Sequence, residues 1–271
     1  MDVVTQAKVS AYSPPYAWRL VATALSFLIF GLGGMILSVV VFPILNLLPG
    51  DAVSRRTRAR RVINKSFSAF VQIMYRLGVL TYSVEGAEHL GKPGQLIIAN
   101  HPSLIDVVVL ISLIRNSNCV VKQSLWNNPC MRSPIRAAQY ISNSGSVEML
   151  DEAAAALQGG QCLIIFPEGT RTTPGKPPEF HRGAAAIAIR GAHCVTPVTI
   201  HVTPTTLTKA EPWYSIPARR VHIQLRVGAD IDPQQFKAAA PAPIASRKLN
   251  DYLHQYFIKE LATDERITTR N

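Results

Sequence analysis

The sequence predicts an α/β protein, built on a mixed, largely parallel sheet flanked by helices and preceded by a hydrophobic helical segment that anchors it to a membrane. Three observations lead there. From Thr81 onward, short apolar runs of strand length alternate with runs of helix length. Between Leu20 and Gly50 there is no charged residue. Two of the strand-length runs end in polar, turn-forming stretches, Asn100–Asp106 and Pro167–Thr172. In open α/β sheets that end of the strands is where ligands bind.

The chain divides into residues 1–80, read as membrane-anchoring helices with a basic flank, and residues 81–271, the α/β domain. Residues 1–16 are polar and contain prolines, the composition of a loose tail. Leu20–Phe42 is long enough to cross the roughly 30 Å hydrocarbon core as one helix. Gly31, Gly33, Gly34 and Pro43 also allow a bent or re-entrant pair. The segment is too long and too weakly basic at its start for a signal peptide. Arg55, Arg56, Arg58, Arg60, Arg61 and Lys65 follow it, which places that flank and the α/β domain on the cytosolic face of an inner membrane. The same cations suit anionic headgroups. Across 62–77, Val62, Phe67, Phe70, Met74 and Leu77 share one helical face, fit for an interface or for packing on the domain.

Strands are expected near 81–86, 95–100, 118–122, 161–166, 194–202 and 220–227. Helices are expected near 104–115, 146–158, 182–191 and 244–261, with Pro- or Ala-rich connections at 203–219 and 237–243.

Composition narrows the function. Hydrophobic residues are 48% of the chain, charged ones 17%, and the formal net charge is +11. A basic surface attracts nucleic acid, anionic lipid or an acidic substrate. Aromatic residues are only 7% and no basic stripe is interleaved with them, which speaks against nucleic acid. Cys119, Cys130, Cys162 and Cys194 are far apart and lack a Cys-x-x-Cys pair, the usage of reduced, buried thiols. No His-Glu-x-x-His stretch or carboxylate cluster calls for a metal.

The chemistry-bearing residues gather in two stretches. A strand over 96–99 delivers His101 to a turn broken by Asn100 and Pro102. Asp106, five positions on, can face the imidazole, fix its tautomer and stabilise the imidazolium, making His101 a general base. Ser103 to Asp106 also fits a capping box that only closes a helix end. A second strand, 161–166, ends in Pro167-Glu168-Gly169-Thr170-Arg171-Thr172, whose turn should expose Glu168 and Arg171. A guanidinium there presents a planar fork suited to phosphate. Arg182 and Gly183 then lead into a helix of small residues.

Together, Asn100-His101-Pro102-Ser103-Leu104-Ile105-Asp106 and Phe166-Pro167-Glu168-Gly169-Thr170-Arg171-Thr172 resemble the paired motifs of the lysophospholipid acyltransferases, the group containing 1-acylglycerol-3-phosphate acyltransferase. Phe180–Gly183 is similar to the family's Phe-x-basic-Gly element, and Val195-Thr196-Pro197-Val198 to its last strand. The resemblance covers roughly residues 81–200 and implies a glycerophosphate-acyltransferase-like fold. It further implies transfer of a fatty acyl group from acyl-coenzyme A or acyl carrier protein to a lipid hydroxyl, with membrane lipids as partners and no cofactor beyond the thioester co-substrate. His101 and Asp106 would be catalytic. Lys122, Glu168, Gly169 and Arg171 would bind the acceptor, supported by Asn100, Ser103, Pro167, Thr170, Arg182 and Gly183. One position departs from the pattern: Asn143 stands where the family has an Arg associated with the acceptor phosphate. A lyso-amino lipid or a polyene or polyketide alcohol is the alternative acceptor. A membrane-bound thioesterase and a non-catalytic lipid-binding module are the readings outside acyl transfer; no Gly-x-Ser-x-Gly elbow supports a serine hydrolase.

Overall fold

The computed structural model describes residues 13–129, 131–173 and 176–268. Most of the expected 1–16 tail, and Cys130, lie outside them. Every expected strand and helix is present. The strands run β1 (Leu80–Glu85), β2 (Gln95–Ala99), β3 (Ser117–Lys122), β4 (Ile141–Asn143), β5 (Cys162–Ile165), β6 (Cys194–Thr203) and β7 (Val221–Val227). They form one sheet in the order β1-β7-β6-β2-β5-β3-β4. All neighbouring pairs are parallel except β6 with β7. Five strands, β6, β2, β5, β3 and β4, therefore end on the same side.

The middle of the sheet is β2 beside β5, in register from Leu96↔Leu163 to Ile98↔Ile165. Leu96–Ala99 and Leu163–Ile164 are wholly inaccessible to solvent, as continuous apolar runs of a parallel sheet covered on both faces should be. One face carries α3 (Ala52–Arg76), α4 (Asp106–Leu113) and α5 (Arg132–Ala138). The other carries α6 (Val147–Gln158), α7 (Gly183–Gly191) and α9 (Ala242–Thr268), with the short α8 (Gln234–Ala239) beside them.

Close approach of α6 and α7 rests on their small residues. A Cβ built on Gly191 would lie 2.4 Å from the carbonyl oxygen of Ala154. Because that neighbour is backbone, it cannot rotate away. Gly191→Ala is expected to lower stability by about 1–3 kcal/mol, the range for overpacked interiors, read as a reduced thermal midpoint.

The N-terminal segment departs from a simple span. α1 (Tyr16–Ile36) continues through a π-turn at Leu37–Val41 into α2 (Phe42–Leu47), and after Asp51 the chain reverses into α3. Tyr16–Leu47 contains an 18-residue stretch apolar enough to cross a membrane, with a mean hydropathy of 2.5 and only 6% of that stretch buried. Yet its inner side packs on the domain along its length. Phe42, Ala59, Ile63, Phe70 and Met74 belong to one core with Ile97, Val109 and Leu225. The division at residue 80 is thus no packing boundary: α1–α3 share the sheet's core. Val21, Leu25, Leu28, Leu32, Met35, Val39 and Leu47 stay exposed, a stripe along the outer side at helical spacing.

The basic run differs too. It lies inside α3, whose N-cap Asp51 accepts a hydrogen bond from the Ser54 N–H at 2.8 Å. Arg58 turns back to the carbonyls of Pro49 and Leu48. Arg60 is buried, donating to the Ala138 carbonyl at 2.9 Å and to Gln161 Oε1 at 3.0 Å. Burial lowers its pKa to about 10, so it remains a cation. Two of the cations expected at a membrane thus tie the fold together.

Candidate active site

His101 stands in the turn after β2, and the backbone around it is pinned from three sides. Asn100 is buried and pairs with β6, its Nδ2 donating to the Ile200 carbonyl and its Oδ1 accepting from the Ile200 N–H. The Thr172 N–H donates to the His101 carbonyl at 2.8 Å. The His101 N–H donates to Glu168 Oε1 at 2.9 Å. The turn after β2 and the turn after β5 are therefore one hydrogen-bonded unit.

The expected pair forms. His101 Nδ1 lies 3.1 Å from Asp106 Oδ2, and the Asp106 side chain is wholly buried while His101 keeps 16% exposure. The same Oδ2 accepts the Ser103 N–H at 2.6 Å. A carboxylate on Nδ1 assigns that nitrogen as the donor, which leaves Nε2 as the basic lone pair. Burial pushes the Asp106 carboxyl above its usual range, and its bonds to His101 and Ser103 oppose that shift. The imidazole also packs on Phe166, ring centroids 4.5 Å apart. That contact went unread in the sequence, although Phe166 heads the second motif.

The capping box is half realised. Asp106 reaches back to the Ser103 N–H, but the Ser103 hydroxyl caps nothing and is buried with no hydrogen-bond partner. α4 starts at Asp106 with no side-chain cap.

Glu168 corrects an expectation. The Pro-Glu-Gly turn was expected to expose it, but it is only 6% accessible. Its Oε1 takes both the His101 N–H and the Thr172 hydroxyl, the latter at 2.8 Å. Burial pushes its carboxyl above the usual range, and those two bonds pull it back. Gly169 has φ +64°, a left-handed conformation open to glycine, and so lets the chain turn under Glu168. Pro167 is buried and its carbonyl accepts the His181 N–H. Thr170 and Arg182 are exposed, and Gly183 begins α7.

Arg171 is half-buried and bridges to the β6–β7 connection, its Nη1 donating to the carbonyls of Leu207 and Thr208, each at 2.8 Å. Leu104 N–H also donates to the Leu207 carbonyl. The same connection is tied to α1, where Arg19 holds the carbonyls of Pro217 and Ala218 and Phe27 packs on Trp213. Lys122 ends β3 at the same side of the sheet, in register with Asn143 on β4.

Beside His101 opens a cavity of about 380 Å³. Its wall is nearly all apolar, with Phe30, Phe70, Ile105, Met131, Leu207 and Ile216 among its lining. A second apolar cavity of about 270 Å³ shares Phe30, Phe70 and Tyr140 with it and extends to Gly33 and Gly34 of α1. Of the expected site residues, only His101 lines the first cavity; Glu168, Arg171 and Lys122 lie outside its wall. The arrangement offers one basic nitrogen in the wall of an apolar recess. Cys119 and Cys162 are free and buried, each thiol pushed up to about 12, and Cys194 is free and half-buried.

Residues 81–201 match the model of the Acyltransferase family. A 1-acyl-sn-glycerol-3-phosphate acyltransferase of Pseudomonas aeruginosa is 25% identical over 66% of this chain and 70% of its own length. The chloroplast enzyme of that name in Arabidopsis thaliana is 25% identical over 44% of this chain, a match that spans only 35% of the longer plant protein. The crystal structure of the 1-acyl-sn-glycerophosphate acyltransferase of Thermotoga maritima superposes with a TM-score of 0.68, covering 91% of this chain and 98% of that one at 22% identity. Residues 81–201 thus carry an Acyltransferase domain, in a chain similar in sequence to 1-acyl-sn-glycerol-3-phosphate acyltransferases and in fold to one of them.

Proposed function

We propose that this enzyme transfers a fatty acyl group from an acyl thioester, of coenzyme A or acyl carrier protein, to a hydroxyl of a lysophospholipid, the type being 1-acylglycerol-3-phosphate. The observation that carries it is that His101, paired with Asp106, lines an apolar recess. A fatty acyl chain has the shape and polarity of that recess, and a thioester lying in it would meet Nε2 in its wall.

In the proposed reaction Nε2 takes the hydroxyl proton as the oxygen attacks the thioester carbonyl. Asp106 stabilises the imidazolium that forms. The tetrahedral oxyanion collapses, the C–S bond breaks, and the imidazolium returns its proton to the leaving thiolate. The products are the ester and the free thiol. The acceptor itself attacks, so no acyl-enzyme forms, and base, alcohol and thioester suffice without a metal or cofactor.

Arg171 and Lys122 are the proposed phosphate ligands, at the strand ends on the side where Nε2 acts. Arg171 spends Nη1 on two carbonyls, leaving the rest of its fork for the acceptor. Asn143 beside Lys122 offers an amide where a third cation would strengthen that grip. The exposed aliphatic stripe of α1–α2 supports a helix lying in the membrane interface, and the basic residues that follow it favour the cytosolic side. The lipid acceptor and the two-tailed product then never leave the bilayer.

The test is a competition assay offering lysophosphatidate and a phosphate-free lyso-amino lipid to wild type, Lys122→Ala and Asn143→Arg. Loss of one charge-assisted contact costs about 1.5–3 kcal/mol, roughly tenfold or more in preference. Lys122→Ala is expected to shift the ratio away from lysophosphatidate, and Asn143→Arg toward it. Ratios unchanged in both variants would remove this edge of the sheet from the acceptor site.

A further inference from the structure

Where α2 gives way to α3, the molecule holds a second pocket of a different character. It is polar, about 410 Å³ in volume, and four arginines line it: Arg55 and Arg56 from the start of α3, Arg132 and Arg136 from α5. Ser133, Asn46 and Gln139 complete its polar wall, and no acidic residue lines it. None of the four arginines forms an ion pair with a carboxylate among the described residues. Asp51 is the acid whose field reaches Arg55, and its carboxylate is engaged by Ser54. Among the described residues, Arg56 reaches only Gln139 Oε1, at 3.5 Å.

Such a cluster is electrostatically unfavourable when empty. Arg132 and Arg136 are four apart on one helix, where like charges repel. Arg55 and Arg56 sit near the positive end of a 25-residue helix with no acid in its first turn. The buried Arg60 lies behind, and the charge of Arg56 is felt there. Two elements far apart in sequence thus converge five positive charges on one region, and an anion would relieve all of these repulsions together.

The surroundings point to the kind of anion. The exposed aliphatic stripe of α1–α2 runs directly to this pocket. Leu47, 85% exposed, is the next residue after Asn46, and Ile44 and Leu48 are also exposed. Apolar surface for a tail thus adjoins a cradle of guanidinium groups, which bind phosphate with paired hydrogen bonds.

We infer that the pocket of Arg55, Arg56, Arg132 and Arg136 is a binding site for the phosphate headgroup of an anionic phospholipid, separate from the site of acyl transfer. The inference rests on the reading that α1–α2 lies in the membrane interface. The bound lipid would fix the rotation of the enzyme on the bilayer and hold the mouth of the His101 recess toward the lipid.

The experiment titrates the detergent-solubilised full chain with monomeric dihexanoylphosphatidylglycerol, dihexanoylphosphatidylcholine and inorganic phosphate by calorimetry. It needs neither turnover nor vesicle anchoring, so it can fail without the acyl-transfer reading failing. Phosphatidylglycerol is expected to bind roughly tenfold tighter than phosphatidylcholine. The Arg132→Ala/Arg136→Ala pair should abolish that preference. The charge-matched control Arg61→Ala/Lys65→Ala, exposed on α3 outside the pocket, should change it by less than about twofold. Equal loss in both double variants would mean diffuse charge rather than a built site, and would overturn the inference. Inorganic phosphate binding as tightly as the lipid would overturn the lipid assignment in favour of a free-phosphate site. Unchanged lipid binding, with use of acyl carrier protein weakened relative to acyl-coenzyme A, would overturn it in favour of an acidic protein partner. Turnover of a soluble short-chain lysophosphatidate should be unaffected by Arg132→Ala/Arg136→Ala; its loss would make the pocket part of the acceptor site instead.

Discussion

Replacing His101 with alanine is expected to lower acyl transfer roughly a thousand- to ten-thousandfold, the range for a removed base that is held by a carboxylate. Asp106→Asn is expected to fall nearly as far, since an amide neither fixes the productive tautomer nor stabilises the imidazolium. Single-turnover assays with saturating donor and acceptor separate this from weakened binding. Transfer near the wild-type rate in His101→Ala would remove the base from the mechanism.

The same variant carries a pH signature. In the wild type, the His101 bond opposes the upward shift that burial imposes on Asp106. Without the imidazole that opposition is lost and the folded-state pKa rises further above its unfolded value. The folded protein then binds more protons than the unfolded chain in that window, so stability falls as pH rises from the ordinary carboxylate range through the raised pKa. Thermal midpoints of His101→Ala should therefore decline from acidic toward neutral pH more steeply than wild type. In the double variant with Asp106→Asn, which has no carboxyl to titrate, the extra slope should vanish.

The parts of this molecule that were readable in the sequence are those in which local pattern and tertiary role coincide. β2 and β5 are apolar runs because both faces are covered, and their polar ends mark the site because parallel strands end together. His101 and Asp106 lie on one turn, so their meeting is a local matter. β4 was missed because three residues, Ile141–Asn143, carry no period; α5, with Pro134 inside it, reads as a loop. The Arg cluster misled for a different reason. Charge alone does not say which arginines find carbonyls, and Arg60 finds its partner 78 positions away at Ala138. The same distance in sequence hid the pairing of Arg55 and Arg56 with α5. Arg19 gave a usable signal, a lone cation in the first turn of an apolar helix, but its partners Pro217 and Ala218 lie across the chain.

Glu168 shows the difference between naming a site residue and knowing its work. The sequence places it at the ligand edge and suggests an acceptor ligand. In the fold it is buried and spends Oε1 on the His101 N–H and the Thr172 hydroxyl. On the proposed mechanism it therefore acts through the backbone of His101, as a positioning residue. Glu168→Ala would strand two half-buried donors, each costing up to about 1–3 kcal/mol, and would release the turn that aims Nε2. A misplacement near 1 Å is enough to lose about a hundredfold in rate. The expected result is a kcat reduced by roughly that factor and a lowered thermal midpoint, with the acceptor KM changed by less than about threefold. Glu168→Gln keeps an acceptor oxygen in place and should recover much of both losses. An acceptor ligand would behave otherwise: its loss would raise the acceptor KM and leave the melting temperature alone. If Glu168→Ala gives that second pattern, the carboxylate touches the substrate, and the bond to His101 is incidental to catalysis.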